Sequence, residues 1–299
     1  MLSSAPMGWP IESMKRGPRG LAAAGMALFS CALLACGPSG APAARKKVRS
    51  EHCPRAAQIA LDDVKTHTQG LRYAADRVAA GFVKVTGEQQ EREMRQVLKL
   101  LRSPKKGVRE LVISPLSFIA AVNKEGVVIA RDADPDHMKG MNLAKAFPSV
   151  REALAGKEGY EVNQFESMKE GGEPSVTIVM AAPAHYRGEV VGALVLGIPF
   201  WRLQQQMSKQ LQMEEGGKQP GVVIWAYVYR GDKLFQHGAP KGLEEILPNG
   251  AARRAGLAKS PGGFTGEAAQ YGRWYGYGVR PVRILGADTG VVVIRMDPQ

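Results

Sequence analysis

The chain has 299 residues, a formal net charge of +12 and 44% hydrophobic residues. This length allows about two domains of roughly 100 residues beside a helical segment, and the apolar fraction is typical of a globular protein. A strongly basic balance is compatible with nucleic acid, anionic envelope polymers or anionic ligands. The N-terminal sequence decides against nucleic acid, because it predicts export from the cytoplasm.

Residues 1–35 predict a signal peptide. A basic segment over 14–19 precedes an apolar stretch over 21–35, which is shorter than the roughly 20 residues that span a bilayer. Residues 1–13 fit neither part of a signal peptide. We therefore expect translation to start at Met14.

The signal ends in Leu33-Leu34-Ala35-Cys36-Gly37, which resembles the lipobox of bacterial lipoproteins. The resemblance implies that Cys36 is lipidated and anchors the protein to a membrane of the cell envelope, facing the periplasm. Gly37 stands where some lipoproteins carry an aspartate for inner-membrane retention, so the outer membrane is favoured. The alternative is an ordinary signal peptide with an incidental cysteine. Residues 36–53 predict a flexible tether.

Residues 54–104 predict a long amphipathic helix. Apolar side chains three and four residues apart, from Leu61 to Phe82, form one stripe. A break is expected at Thr86-Gly87, and Ser103-Pro104 ends the helix. Because the chain has no second heptad-rich segment, we expect a spine for smaller domains rather than a coiled coil.

Residues 105–200 predict a first α+β unit, 201–219 a polar connecting helix and 220–299 a second unit. In the first unit a strand hairpin and a helix over 144–155 precede three antiparallel strands, with the strands at 116–122, 127–131, 160–165, 176–182 and 189–198. The second unit repeats this order around a helical stretch over 243–257, with strands at 222–229, 233–237, 264–271, 273–282 and 290–296.

A repeated proline and glycine pattern supports this tandem arrangement. Pro183, Gly188 and Gly192 lead into one apolar strand, and Pro281, Gly286 and Gly290 lead into another at the same spacing. The predicted fold class is therefore α+β, with a long N-terminal helix and two units that each place a covering helix on an antiparallel sheet.

Several motifs of the first unit resemble the Cache domain, a PAS-like extracytoplasmic sensor domain of bacterial receptors. They are a charged glycine turn between strands, a Gly-x-x-Leu entry to the helix, a helix-to-strand corner and a closing hairpin, over 122–131, 140–143, 153–160 and 182–192. The likeness extends over 54–299 in a double-Cache layout, specifically over 116–200 and more loosely over 220–299. It implies small-molecule binding without catalysis.

Two departures narrow this expectation. The Arg-x-Trp-Tyr stretch of amino-acid-sensing relatives is missing over 146–151, and Gly197-Ile198 stands where their final aspartate would fall. An amino-acid ligand is therefore not expected. The chain also carries no second apolar span, so a signal would have to pass through a separate envelope or receptor protein.

The expected pocket of the first unit lies between the sheet and its covering helix. Small Ala120 and Ala182 beside flexible Met180 would leave room for a ligand, although such stripes are also ordinary core. Arg131 is the candidate for binding a carboxylate, or alternatively for a salt bridge to Asp132 or Asp134. The predicted ligand-binding residues are Phe118, Ala120, Arg131, Asp132, Tyr160, Phe165, Met180 and Ala182.

No metal, cofactor or catalytic residue is predicted. Asp132, Asp134 and Asp136 alternate as in a calcium loop, but His137 and Leu143 stand where such a loop needs glycine and glutamate. Looser metal binding by these carboxylates with His137 stays open. The histidines are scattered, and the sequence has no nucleophile elbow or phosphate loop.

The second unit concentrates aromatic residues. Trp225, Tyr227 and Tyr229 alternate along one strand, which indicates cross-strand packing, a stacking site for a ring or cation, or a protein-binding surface. Two functions follow. The first is a lipid-anchored sensor that binds a small, possibly anionic molecule and reports its occupancy to a partner. The second is an envelope scaffold that binds proteins through this aromatic face.

Overall fold

The structure is a computed structural model that describes residues 40–165, 174–216, 219 and 221–298. The predicted signal peptide and Cys36 lie outside the described residues. The α+β class is confirmed: a long N-terminal helical segment precedes two five-stranded antiparallel sheets with packing helices. Among the described residues, no helix combines the length and the apolar character that crossing a membrane would require.

The helical spine begins earlier than predicted. Helix α1 (Ala41–Lys47) continues through a π-helical turn (Val48–His52) into α2 (Cys53–Val78), and α3 (Gly81–Lys84) and α4 (Gly87–Leu101) follow. The expected break is confirmed, because Thr86 has extended backbone and Gly87 has a φ of 64°. A positive φ of this kind favours glycine.

The first unit follows the short helix α5 (Arg109–Val112). Its strands, in chain order, are β1 (Phe118–Val122), β2 (Val128–Arg131), β3 (Gly159–Phe165), β4 (Ser175–Tyr186) and β5 (Glu189–Pro199). The predicted single helix between β2 and β3 is two, α6 (Leu143–Ala146) and α7 (Pro148–Leu154). Pro148 causes the break, because proline lacks an N–H and disfavours helical backbone in the residue before it.

Helix α8 (Phe200–Gly216) connects the two units. The second unit contains β6 (Val223–Arg230), β7 (Lys233–Phe235), a 3-10 turn (Leu243–Ile246), α9 (Gly250–Lys259), β8 (Phe264–Gln270), β9 (Arg273–Pro281), a 3-10 turn (Arg283–Leu285) and β10 (Thr289–Met296). The strand orders are β2-β1-β5-β4-β3 and β7-β6-β10-β9-β8, so both sheets share one topology. This identity of order supports the tandem repeat.

Each sheet buries both of its faces. One large apolar cluster joins the spine, α8 and one face of both sheets, as Leu71, Phe200, Leu196 and Val293 illustrate. The opposite face of each sheet packs under the covering elements of its own unit. The spine therefore packs on one face of both sheets. The opposite face of each sheet, here called its covered face, packs over the described residues only against elements of its own unit.

The predicted flexible tether is wrong from Ala41 onwards, because α1 packs against β9 at one glycine and the start of α2 packs against β9 at another. A Cβ on Gly276 would lie 2.2 Å from the Arg45 backbone nitrogen, and one on Gly278 would lie 2.7 Å from the Cys53 sulfur. Real Cβ atoms do not approach other atoms this closely. The missing side chains at Gly276 and Gly278 thus allow the start of the spine to lie directly on the second sheet.

A buried ionic network ties this start of the spine to α8 and β10. Arg295 is fully buried and donates to Glu215 and Asp297 at 2.7 Å each, and its Nη1 lies 2.7 Å from His52 Nε2. Burial and the neighbouring Arg295 lower the pKa of His52. A buried charge is tolerated only when it is paired and hydrogen-bonded, so the network favours this one arrangement of the three elements.

Candidate functional site

The covered face of the first sheet carries part of the predicted site. Phe118 and Ala120 project from β1 towards α6 and α7, where Phe147 and Val150 are buried against them. Phe165, at the end of β3, contacts Phe118 edge-to-face with ring centroids 5.3 Å apart, and it stacks on Phe147 at 4.7 Å. The structure therefore brings Phe118, Ala120 and Phe165 to the same face.

Met180 and Ala182 lie on the other face of this sheet. Met180 stands opposite Leu196, which stands opposite Ile119 on β1, so Met180 shares the face of Ile119 rather than that of Ala120. Its sulfur accepts a hydrogen bond from Thr68 Oγ1 of the spine at 3.9 Å. The prediction that Ala182 and Met180 leave room beside Ala120 is wrong, because the sheet separates them.

Arg131 remains a candidate for binding a ligand. It stands opposite Ala120 and so projects from the covered face, and its Nε is buried without a hydrogen-bond partner among the described residues. The alternative salt bridge is not formed: Asp132 pairs with Arg102, the residue after α4, and accepts from the Ile119 amide, and Asp134 lies 3.8 Å from Arg95. A guanidinium with an unsatisfied N–H at a covered face is suited to an acidic ligand group.

The predicted residue Asp132 has a structural role. Its carboxylate is 4% exposed, and both of its oxygens are occupied by Arg102 and the Ile119 amide. Asp136 accepts hydrogen bonds from the backbone N–H groups of Arg131 and Met138 at 2.9 Å. The carboxylates of Asp132 and Asp136 therefore accept hydrogen bonds from protein groups at the end of β2, and they do not converge on an ion.

One group of described residues has ligand atoms close enough to hold a metal ion: Glu51, His52 and Glu215. The Arg295 guanidinium already contacts both His52 Nε2 and Glu215 Oε2 at 2.7 Å. The positive charge of this cluster is therefore supplied by arginine. A divalent cation at the same place would have to displace it.

Tyr160 faces away from the covered face of the first sheet. It stands opposite Met180 and, with its side chain 36% exposed, lines an open cleft of about 940 Å³ between α2, β3 and the 3-10 turn Arg283–Leu285. Sequence reasoning missed this cleft, because its walls come from segments that are far apart along the chain. The one signal was Tyr160, an aromatic residue among polar neighbours.

The aromatic residues of the second unit mostly form its core. Tyr227 and Tyr229 are buried under the 3-10 turn Leu243–Ile246, and the Arg253 guanidinium lies 5.1 Å from the centre of the Tyr229 ring. Burial raises the pKa of Tyr227, whose hydroxyl has no hydrogen-bond partner among the described residues. Of the three interpretations of the aromatic strand, packing in the core is therefore the one that holds for these two tyrosines.

No protein-family model and no curated protein matches the sequence. Solved structures do match its fold. The ligand-binding domain of the Campylobacter jejuni chemoreceptor Tlp3 with L-valine has a TM-score of 0.50 at 11% identity, with coverage of 88% of this chain and 97% of that one. The sensory domain of Tlp3 with isoleucine matches at 0.50 and 12%, with the same coverage of 88% and 97%. The V. cholerae histidine kinase DctB sensor domain matches at 0.49 and 12%, over 84% and 96%.

These similarities concern the fold. At this identity they show only that the fold is similar to that of these sensory and ligand-binding domains, which is consistent with the resemblance of the sequence motifs. They do not transfer a ligand, because a fold shared at 11–12% identity does not determine the side chains of a binding site.

Proposed function

We propose that this chain is an extracytoplasmic sensor whose first unit binds a small molecule with an acidic group. The observation that carries the proposal is Arg131, whose Nε is buried on the covered face without a partner among the described residues. An unsatisfied N–H at such a place costs about 1–3 kcal/mol, which an acidic ligand would recover. The chemoreceptor domains with this fold were solved with L-valine and isoleucine, each of which has a carboxylate.

The ligand would contact Arg131 and the adjoining side chains of Phe118, Ala120 and Phe165. The two phenylalanines supply an apolar wall, and Ala120 stands opposite Arg131 in the register. The acidic group would accept from the guanidinium while the apolar body packs on the rings. This division between one charged anchor and apolar walls is typical of small-molecule sites.

We further propose that the protein is anchored through lipidated Cys36 at the periplasmic face of an envelope membrane, with the outer membrane favoured. Ligand occupancy would be reported to a separate protein. Asp132, the residue after Arg131, is paired with Arg102 at the end of α4, so a movement of Arg131 towards a ligand would be transmitted to the spine. Such a signal requires two conformations of the protein, one of which binds the ligand more tightly, so that the ligand increases the population of that conformation.

The second candidate function is a scaffold that binds envelope proteins. It is favoured by a surface cleft along α8 and β6 at which Ile113 is 65% exposed and Met213 is 63% exposed, with Trp201 and Trp225 beside them. Large exposed apolar side chains in one place are typical of protein-binding surfaces. Neither function assigns catalysis to the chain.

The two functions are separated by a thermal-shift screen of the purified protein with organic acids, amines and purines. The sensor proposal expects one class with an acidic group to raise the melting temperature, with the rise lost in Arg131→Gln. Arg109→Gln is the matched control, since Arg109 is an exposed arginine outside this face. Uniformly flat curves together with stable co-purifying envelope proteins would reject the sensor and support the scaffold.

A further inference from the structure

The cleft beside Tyr160 lies on the opposite side of the first sheet from Arg131. Its walls are α2 of the spine, the edge strand β3 of the first unit, and Arg230 and the 3-10 turn Arg283–Leu285 of the second unit. With a volume of about 940 Å³ it has the size of a small-molecule site. Since three parts of the chain form it, a molecule bound there would touch both units and the spine at once.

The charged residues of this cleft are unequally satisfied. Arg72 pairs with Glu158, and Glu161 accepts from the Ser149 amide at 2.8 Å and from its hydroxyl at 2.9 Å. Three further cations line the same cleft: Lys65, Arg230 and Arg283. Over residues 40–165, 174–216 and 221–298, none of these three side chains forms a hydrogen bond or an ion pair.

Two carboxylates of the cleft are also available. Glu152 has no hydrogen bond or ion pair within the part of the chain that the structure describes, and Asp288 has one contact, from Thr289 Oγ1 at 3.5 Å. Counted together, the lining has four cations and four carboxylates, so the cleft has no net charge, and the carboxylates add acceptors for hydroxyl or amino groups. A ligand that matched this lining would combine anionic oxygens with such groups.

The remaining wall is aromatic and apolar. The side chains of Tyr73 and Tyr160 are 52% and 36% exposed and line the cleft together with buried Val64 and Leu285. Tyrosine offers a flat ring and a hydroxyl at the same position, which suits the carbon skeleton of a polar molecule. Bare inorganic anions would leave this wall unused.

We propose that this cleft is a second binding site, for an organic anion that also carries hydroxyl or amino groups, such as a sugar phosphate or a hydroxy acid. Lys65 and Arg283 bind the phosphate or carboxylate, with Arg230 beside them. Glu152 and Asp288 accept from the hydroxyl or amino groups. The ligand bridges the spine, the first sheet and the second unit, so it stabilises their mutual arrangement independently of Arg131.

Isothermal titration calorimetry on the full chain tests this site with four probes: glucose 6-phosphate, gluconate, inorganic phosphate and glucose. At least one of the two organic anions is expected to bind, at least tenfold more tightly than phosphate or glucose, and more weakly as salt increases. Binding by glucose 6-phosphate alone identifies a phosphate site, and binding by gluconate alone a carboxylate site.

The variants Lys65→Gln and Arg283→Gln are each expected to weaken this binding about tenfold. Both residues are exposed, so folding is expected to be unchanged, and Arg109→Gln serves as the matched control. Absence of binding by both organic anions, equal binding of inorganic phosphate, or full affinity in both variants would overturn the second site. Arg131→Gln separates the two proposals, because it is expected to leave this binding intact; loss of binding in Arg131→Gln alone would assign the ligand to the covered face.

Discussion

Asp63 on the spine gives the sharpest test of the packing between α2 and α8. Its carboxyl is 9% exposed, and one oxygen accepts from Gln206 Nε2 at 3.0 Å while the other has no hydrogen-bond partner among the described residues. Burial raises the pKa of Asp63 to about 7, against the opposing hydrogen bond from Gln206. We predict that Asp63→Asn stabilises the protein above neutral pH.

The magnitude follows from linkage between protonation and folding. In the unfolded chain Asp63 titrates near its ordinary pKa of 3.8, so between 3.8 and about 7 the folded state binds the extra proton. Stability is therefore lost as pH rises through this window, by at most about 4 kcal/mol for a shift of this size. Asparagine keeps the carbonyl acceptor and carries no charge, so it removes this loss.

The assay is the melting temperature of wild-type and Asp63→Asn proteins between pH 4 and pH 8. For a chain of this size about 4 kcal/mol corresponds to an advantage on the order of 10 °C at pH 8, and the advantage should shrink to near zero at pH 4. Asp62→Asn is the control, since Asp62 is exposed and adjacent. A difference between Asp63→Asn and Asp62→Asn that does not change with pH would refute the reasoning.

Four further expectations concern the spine and its contacts. Burial lowers the pKa of His67 to about 4, so the protein should lose stability as the pH falls from 6.5 to 4. The melting temperature of His67→Gln should fall less over the same pH range. Gly276→Ala should destabilise by about 1–3 kcal/mol in urea unfolding, because its Cβ would meet α1 at 2.2 Å, whereas Gly262→Ala, with open space around its Cβ, should be neutral. Arg295→Met should cost about 3–5 kcal/mol in the same assay, because it leaves buried Glu215 without its arginine, and a neutral result would contradict the network. Cys53, whose thiol pKa burial raises to about 12, should react with a thiol reagent only after unfolding, and rapid labelling of the native protein would contradict its burial.

Much of the fold was predictable from local patterns. Period-two apolar runs bounded by glycine turns placed β3 over Gly159–Phe165 and β9 over Arg273–Pro281, within two residues of the predicted bounds. The repeated proline and glycine spacing indicated two similar units, and the two sheets have the same strand order. These signals work because turns and alternation depend on neighbouring residues.

Two features depended on distant contacts and were not predictable. Helix α1 has the composition of a tether, and its packing depends on Gly276, far away in the sequence. Short helices of this kind are stabilised by tertiary packing rather than by their own propensity. Composition alone therefore favoured a flexible segment.

The candidate site was predictable only in part. Phe118, Ala120 and Arg131 share a face as expected, since they lie on one hairpin whose register a short turn fixes. Met180 lies on a strand that joins β1 only through β5, and a shift of one residue exchanges the two faces of a strand. The cleft lined by Lys65 and Arg283 requires knowledge of how the two units pack, which no local pattern contains.

Native mass spectrometry of the freshly purified wild-type protein and of Arg131→Gln shows whether the chain binds a ligand through Arg131. We expect a small molecule with an acidic group to add its mass to the wild-type chain, either retained from the cells or supplied at millimolar concentration, and we expect this adduct to be missing from the Arg131→Gln spectrum. An unliganded wild-type protein under both conditions, or an equally occupied variant, would contradict a sensor that binds its ligand through Arg131.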